Sequence, residues 1–305
     1  MRFVYFGTGS FALPALRRIA KHVCAVVTQP DKPTGRKQVL TPTPAKVLAT
    51  ELGIPVFTPQ KARDLQFIES IRALDADALI VASYGQILKP ALLESAKRGG
   101  INLHGSILPA YRGAAPIQRS LLMGEKVTGV TLMQMDAGMD TGDIIEIAET
   151  PVNELETYGE LQDRLAEIAA DLIEKRLEDL YLGNYKRLPQ DESKATLAPK
   201  VERYETILDF EEPAHQTVCR WQAFTPNPGV WAATSLGRLK IHRLTHSDGA
   251  DEPGTIIALD EGITVAHHNG AVTWLQVQPE GKTAMSARDY ARGARLTVGQ
   301  SLRNT

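Results

Sequence analysis

Cysteine is almost missing from this chain: Cys24 and Cys219 are the only two, far apart and without metal-ligand spacing. A reduced intracellular compartment follows, so a cytoplasmic location is expected and a thiolate metal site is not. Long apolar runs are missing as well. Nothing approaches the roughly 18 consecutive apolar residues of a membrane-spanning helix, so no membrane association is expected. The opening run Met1–Gly7 enters a strand-like segment that stops at a glycine, too short for the apolar part of a secretory signal. An excess of either charge is the third absence. Lys and Arg number 34 against 36 Asp and Glu, for a net charge of −2. Through residue 204 the count is 25 against 25, and from 205 onward 9 against 11. Neither part is a basic domain, so any contact with nucleic acid has to rest on local patches.

What is present is an ordinary globular composition, 43% hydrophobic and 23% charged, over 305 residues, which favours two domains. The first half alternates short apolar runs with helix-like stretches. Arg2–Phe6, Val23–Thr28, Ala78–Ala82 and Gly100–Leu103 read as buried strands, and Ala12–Ala20, Ala45–Leu52 and Leu65–Leu74 as helices. Val127–Met135 and Ile144–Ala148 add two strands, and Tyr158–Leu182 is a strongly periodic helix. This alternation predicts an α/β fold, a Rossmann-like, mostly parallel sheet covered on both faces. From Gly183 to Glu205 the chain is polar and carries Pro189 and Pro199, and it reads as a linker. Beyond it come one helix, Pro213–Phe224, and short β-type runs at Gly229–Thr234, Leu239–Leu244, Gly254–Leu259, Gly262–His267 and Val272–Gln278. A small β-barrel or sandwich is expected there. The domain boundaries are therefore 1–183, a linker at 184–205, and 206–305.

Gly7-Thr8-Gly9-Ser10-Phe11-Ala12 fits the permissive dinucleotide fingerprint after a strand. The acidic residue that should end the second strand and hold a ribose is not in place. That strand runs out as Val27-Thr28-Gln29-Pro30-Asp31, with Pro30 turning the chain away first. The segment reads instead as a tight turn that aims a helix N-terminus at ligand or solvent.

The most informative stretch is Ile101-Asn102-Leu103-His104-Gly105-Ser106-Ile107-Leu108-Pro109. Residues two apart on a strand share a face, so Asn102 and His104 project together. Gly105 permits a sharp exit, and the carboxyl end of a strand is where α/β sheets bind ligands. An amide and an imidazole side by side suit the stabilisation of a developing oxyanion. The loop Met135–Asp143 carries three acids, Asp136, Asp140 and Asp143, with a spacing that does not match a calcium-binding helix-loop-helix. One of the three could pair with His104 and move a proton, and spacing alone leaves open which.

Here the chain resembles the folate-dependent formyltransferases, and within them the branch that acts on initiator methionyl-tRNA. The matching pieces run nearly end to end. They are Phe6-Gly7-Thr8 with Phe11-Ala12, Thr28–Pro33 with Gly35-Arg36, Tyr84–Leu88, Asn102–Pro109 continuing through Tyr111–Arg119, Met133–Asp143, and Gly281–Ser286. The resemblance implies transfer of a formyl group from 10-formyltetrahydrofolate, without a metal, to the amino group of methionine on the tRNA, giving the N-formylmethionyl-tRNA of translation initiation. It implies that Asn102 and His104 hold the oxygen of the tetrahedral intermediate. It selects Asp140 as the acid that keeps His104 protonated and accepts the amine proton. Ser106, Ile107, Leu108 and Pro109 would lie against the folate, with Gln86, Ile87 and Leu88 and the stretch from Asp136 to Asp140 around the pterin. The Pro- and Gly-rich loop Pro30–Pro44, with Lys32, Arg36 and Lys37, would wedge into the tRNA acceptor end. The C-terminal part would be an OB-like barrel supporting the tRNA, although its charge, 9 against 11, lacks the basic face expected of it.

The partners implied are initiator methionyl-tRNA and folate, with the chain acting as a monomer. Two other readings remain. One is a folate-dependent formyltransferase for a small amine, such as a nucleotide sugar or glycinamide ribonucleotide, or a formyl-folate hydrolase. The other is a non-catalytic dinucleotide- or RNA-binding module, for which only Gly7–Ala12 and the C-terminal part speak.

Overall fold

The computed structural model describes residues 1–35 and 38–303. Two compact units are present. The first comprises Met1–Pro116, Val127–Thr150 and Gln162–Pro199, the second Ile117–Lys126, Pro151–Leu161 and Lys200–Thr305.

The first unit is built on seven strands: β1 (Phe3–Gly7), β2 (Val23–Val27), β3 (Val56–Phe57), β4 (Ala78–Ala82), β5 (Gly100–His104), β6 (Val127–Gln134) and β7 (Ile144–Pro151). Their order in the sheet is β7-β6-β5-β4-β1-β2-β3. From β3 through β5 every pair is parallel, and β6 runs antiparallel to β5. Every residue of β1 and β4 is buried, as strands covered on both faces require. The crossover helices begin where their sequences say they should. Thr43 caps Pro44–Glu51 by accepting from the Lys46 amide, and Asp64 caps Leu65–Arg72 by accepting from Gln66 and Phe67. Order reverses at β1, which lies between β2 and β4, so the ligand crevice of such a sheet opens at the carboxyl ends beside it.

The dinucleotide-like segment forms a single 3₁₀ turn, Ser10–Ala12, before the helix Leu13–Ile19. Gly7 has a packing reason: a Cβ there would meet Ala12 Cβ at 2.7 Å and the Tyr5 ring at 2.8 Å. In the loop after β2, Lys32–Thr34 pairs antiparallel with Val39–Thr41, two short strands within the stretch read as a Pro- and Gly-rich loop.

The stretch 184–205, expected to cross as a linker, is through Pro199 a folded part of the first unit. Leu197–Ala198 pairs in parallel with Arg112–Gly113, and Thr196 accepts from the Tyr111 amide through its hydroxyl. A two-residue strand leaves no period in the sequence, which is why composition alone reads this segment as free.

In the second unit a curled, mostly antiparallel sheet is formed by β8 (Val230–Thr234), β9 (Gly237–Ser247), β10 (Ile256–Ala258), β11 (Ile263–His267) and β12 (Gly270–Pro279). Its order is β8-β9-β12-β11-β10, with Ile207–Leu208 added in parallel on β8. Register shifts between Ile241 and Leu244 mark a bulge in β9, the device by which a long strand bends. The tail ties the two ends of this sheet, because Leu302 donates to Gly254 O and accepts from the Ser235 amide. The helix Ala214–Phe224 buries Val218, Trp221 and Phe224, and Trp274 and Phe210 fill the interior of the same unit. The fold is thus the Rossmann-like α/β domain that the sequence pattern implies, with the OB-like C-terminal barrel that the resemblance implies.

Candidate active site

Asn102 and His104 occupy one face of β5 at its carboxyl end, where strand alternation puts them, and both are nearly fully buried. The antiparallel register sets Met133 opposite Asn102 and Thr131 opposite His104. The loop after β6 then folds back over this face. Asp140 Oδ1 accepts from Asn102 Nδ2 at 3.4 Å, and Oδ2 stands 3.6 Å from His104 Nδ1. The same Oδ2 accepts from the backbone N–H of Gly113 at 2.9 Å. Asp140 itself sits at φ +55, in the left-handed region that side chains other than glycine rarely adopt.

The other ring nitrogen fixes the proton of His104. Nε2 lies 2.9 Å from the carbonyl of Tyr111, and a carbonyl only accepts, so Nε2 carries a hydrogen and donates. A ring with its second nitrogen bare would then turn a lone pair toward the Asp140 carboxylate. Nδ1 is thus the ring nitrogen turned toward the Asp140 carboxylate, with Nε2 given to the Tyr111 carbonyl. Asn102 has two amide protons. With one turned to Asp140, the other is available to an oxygen on the open side of the strand.

The two remaining acids of the loop are engaged differently. Asp136 is exposed, and its carboxylate accepts from the Gly138 amide at 3.0 Å and from the Thr141 hydroxyl at 2.8 and 2.9 Å, an internal brace of the turn. Asp143 contributes its backbone carbonyl to the Gln134 amide. Gly142 packs so tightly against Gln134 that a Cβ would lie 1.9 Å from its carbonyl oxygen.

Of the residues expected along the folate, Ser106 and Leu108 are buried and Ile107 and Pro109 half-buried. The Ser106 hydroxyl donates inward to Ala110 O at 2.7 Å, and Thr131 Oγ1 both donates to Ser106 O and accepts from the Leu108 amide. In the strand-end loop after β4, the Gln86 side chain accepts from the Ala62 amide at 2.8 Å, Ile87 is well exposed and Leu88 is buried. Lys32 is exposed in the loop after β2, while Arg36 and Lys37 lie outside the described residues.

Four groups escaped the sequence reading: the Tyr111 carbonyl, the Gly113 amide, Arg112 and Gln190. Arg112 and Gly113 lay inside the matched segment, so a signal existed without a role. Gln190 had none. The Arg112 guanidinium is buried and donates to Gln190 Oε1 and to both oxygens of Glu192. The Glu192 hydrogen bond holds Arg112 above its ordinary value, and in return Arg112 holds the Glu192 carboxyl below the usual carboxylate range. Among the described residues no group of three or more His, Cys, Asp or Glu is placed to hold a metal ion. Nor, among the described residues, is any helix long and apolar enough to cross a membrane.

Residues 1–177 match the formyl transferase family model and residues 200–295 the formyl transferase C-terminal domain. A methionyl-tRNA formyltransferase of Xylella fastidiosa is 43% identical over 302 residues, 97% of this chain and 98% of the relative. One from Dictyoglomus turgidum is 39% identical over the full length of both. Among solved structures, an N-formyltransferase from Helicobacter canadensis in complex with folinic acid and dTDP-3-aminofucose superimposes with a TM-score of 0.67. At 19% identity, over 89% of this chain and 98% of that one, it speaks for the fold alone. Matched by both domain models and by full-length relatives, the chain belongs to the methionyl-tRNA formyltransferase family of folate-dependent formyltransferases.

Proposed function

We propose that this enzyme transfers the formyl group of 10-formyltetrahydrofolate to the amino group of methionine on initiator methionyl-tRNA, using Asn102, His104 and Asp140. The single observation that carries the assignment is Asp140, whose carboxylate faces both Asn102 and His104 on one strand face.

The chemistry asks for two things. The methionine amine must shed a proton as it attacks the formyl carbon, and the carbonyl oxygen becomes an oxyanion in the tetrahedral intermediate. The second amide proton of Asn102 and the cationic ring of His104 stabilise that oxygen. Asp140 keeps the ring protonated and takes up the amine proton, directly or through water. Collapse of the intermediate returns a proton to N10 of the folate as the C–N bond breaks. Ile107 and Pro109, with the backbone around Gln86–Leu88 and Asp136–Asp140, line the folate. Lys32, Arg36 and Lys37 on the loop after β2 take the acceptor end of the tRNA, and the C-terminal barrel, residues 206–305, supports it. The enzyme acts as a monomer, which sedimentation of the purified protein tests directly. The substrate pair implies a cytoplasmic enzyme.

The test is a transfer assay with 10-formyltetrahydrofolate and either charged initiator tRNA or small amines such as an amino sugar nucleotide. Formyl-methionine should form on the tRNA, and His104→Ala should lower the rate by on the order of 10²–10³-fold. Formylation of a small amine without any on tRNA would transfer the assignment to the small-amine reading.

A further inference from the structure

Asp140 is held at both ends, and the second hold comes from the segment whose composition reads as a linker. Its carboxylate takes the Gly113 N–H at 2.9 Å. Its backbone carbonyl accepts from Gln190 Nε2 at 2.9 Å, and the same amide nitrogen donates to Gly142 O at 2.7 Å. Gln190 thus fastens both sides of Thr141, in a loop whose tip, Asp136–Met139, is exposed.

The orientation of that amide is dictated by its other neighbour. Arg112 donates to Gln190 Oε1 through Nε at 2.9 Å and Nη2 at 2.7 Å. A guanidinium has only donors, so the amide oxygen must face it and the NH₂ must face the loop carbonyls. Glu192 locks the outer edge of the guanidinium with two bonds, Nη1 to Oε2 at 2.9 Å and Nη2 to Oε1 at 2.7 Å. Arg112 also adjoins Gly113, and Leu197–Ala198 pairs with both residues. One strap, Gln190–Ala198, therefore secures both the donor to the Asp140 carboxylate and the donor to its carbonyl.

We propose that Gln190, aimed by the Arg112–Glu192 pair, is a positioning residue that sets Asp140 against His104 for formyl transfer. The inference rests on the assignment of Asp140 made above. Asp140 sits at φ +55, a left-handed conformation uncommon for a residue with a side chain and one that its hydrogen bonds help to hold. The Asp136 brace ties Gly138 and the Thr141 hydroxyl, whereas the carbonyl of residue 140 is tied by Gln190. Removing the two Gln190 donations lets the carbonyl at 140 turn, and the carboxylate leaves the His104 ring with it.

Gln190→Glu isolates this role. It keeps the size and the acceptor for Arg112, removes both donations, and sets a carboxylate against two carbonyl oxygens. Expected is a fall in kcat of about 10- to 100-fold, with KM for tRNA and for 10-formyltetrahydrofolate within about twofold. The cycle with Asp140→Asn, read in single turnovers with enzyme in excess, decides whether Gln190 acts through Asp140. In the Asp140→Asn background the second substitution should lower the rate less than about twofold. Unaltered kcat in Gln190→Glu, or a loss of equal size in both backgrounds, overturns the proposal. Should the added charge prevent folding, Gln190→Ala enters the same cycle. Asp140→Asn at full turnover would instead remove the assignment of Asp140 itself, an outcome separate from slow Asp140→Asn beside fast Gln190→Glu.

Discussion

Thr131 offers the sharpest test of how the turn after His104 is built. It is fully buried, directly opposite His104 in the register of β5 and β6. Its hydroxyl donates to Ser106 O at 2.6 Å and accepts from the Leu108 amide at 3.1 Å, so one oxygen satisfies two backbone groups of the turn. Thr131→Val keeps the shape and removes both bonds. Each buried backbone group left unpaired costs ~1–3 kcal/mol, and the extra apolar methyl returns less than ~1 kcal/mol. The net expectation is a loss of about 2–4 kcal/mol, a large share of the ~5–15 kcal/mol typical of a folded domain. Thr131→Ser is the control. It keeps the oxygen and gives up one methyl, for roughly 1 kcal/mol. Urea unfolding at pH 7 measures both, through the shift in midpoint at constant slope. Turnover of the valine variant should also fall, because Gly105–Pro109 leaves the strand at His104. If Thr131→Val unfolds no more easily than Thr131→Ser, the two hydrogen bonds do not hold the turn and the reasoning is refuted.

Two further outcomes follow from charge. Arg36→Ala should raise KM for tRNA about tenfold with little change in kcat, and should lower the slope of log affinity against log salt by about one; an unchanged KM at every salt concentration contradicts the assignment of the loop. Burial pushes the His267 imidazole down to about 4 from 6.5, with Nδ1 sharing a hydrogen bond with the Thr217 hydroxyl. The unfolded chain therefore binds a proton below pH 6.5 that the folded chain refuses until about pH 4. Stability should fall as pH drops through that window, by up to ~1.4 kcal/mol per unit. His267→Gln should flatten the unfolding midpoint between pH 6.5 and 4.5, and an identical pH slope in that variant would assign the acid sensitivity elsewhere.

Local periodicities were enough to find most of the scaffold, because they depend on neighbours in the chain. The short apolar runs at Arg2–Phe6 and Ala78–Ala82 read as buried strands, and every residue of β1 and β4 is buried. The apolar spacing of Tyr158–Leu182 marked a helix whose Leu161, Leu165, Leu172 and Leu180 are buried. Elements of two or three residues went unseen, such as Val56–Phe57 at the sheet edge and Leu197–Ala198 beside Arg112, because a period needs more residues to show itself.

The site divides along the same line. Strand alternation alone made Asn102 and His104 neighbours, since side chains two apart on a strand must share a face. The resemblance to known formyltransferases selected Asp140, but no spacing rule ranks Asp136, Asp140 and Asp143. In the folded chain Asp136 turns inward to Gly138 and Thr141, while Asp140 faces Asn102 and His104. That difference depends on Gly113, 27 residues before Asp140, and on Gln190, 50 residues after it. Hydrogen bonds over such separations leave no local pattern. The sequence by itself therefore determined the sheet, the Asn-x-His pair and the family, and tertiary structure decided which acid meets the histidine and what holds it there.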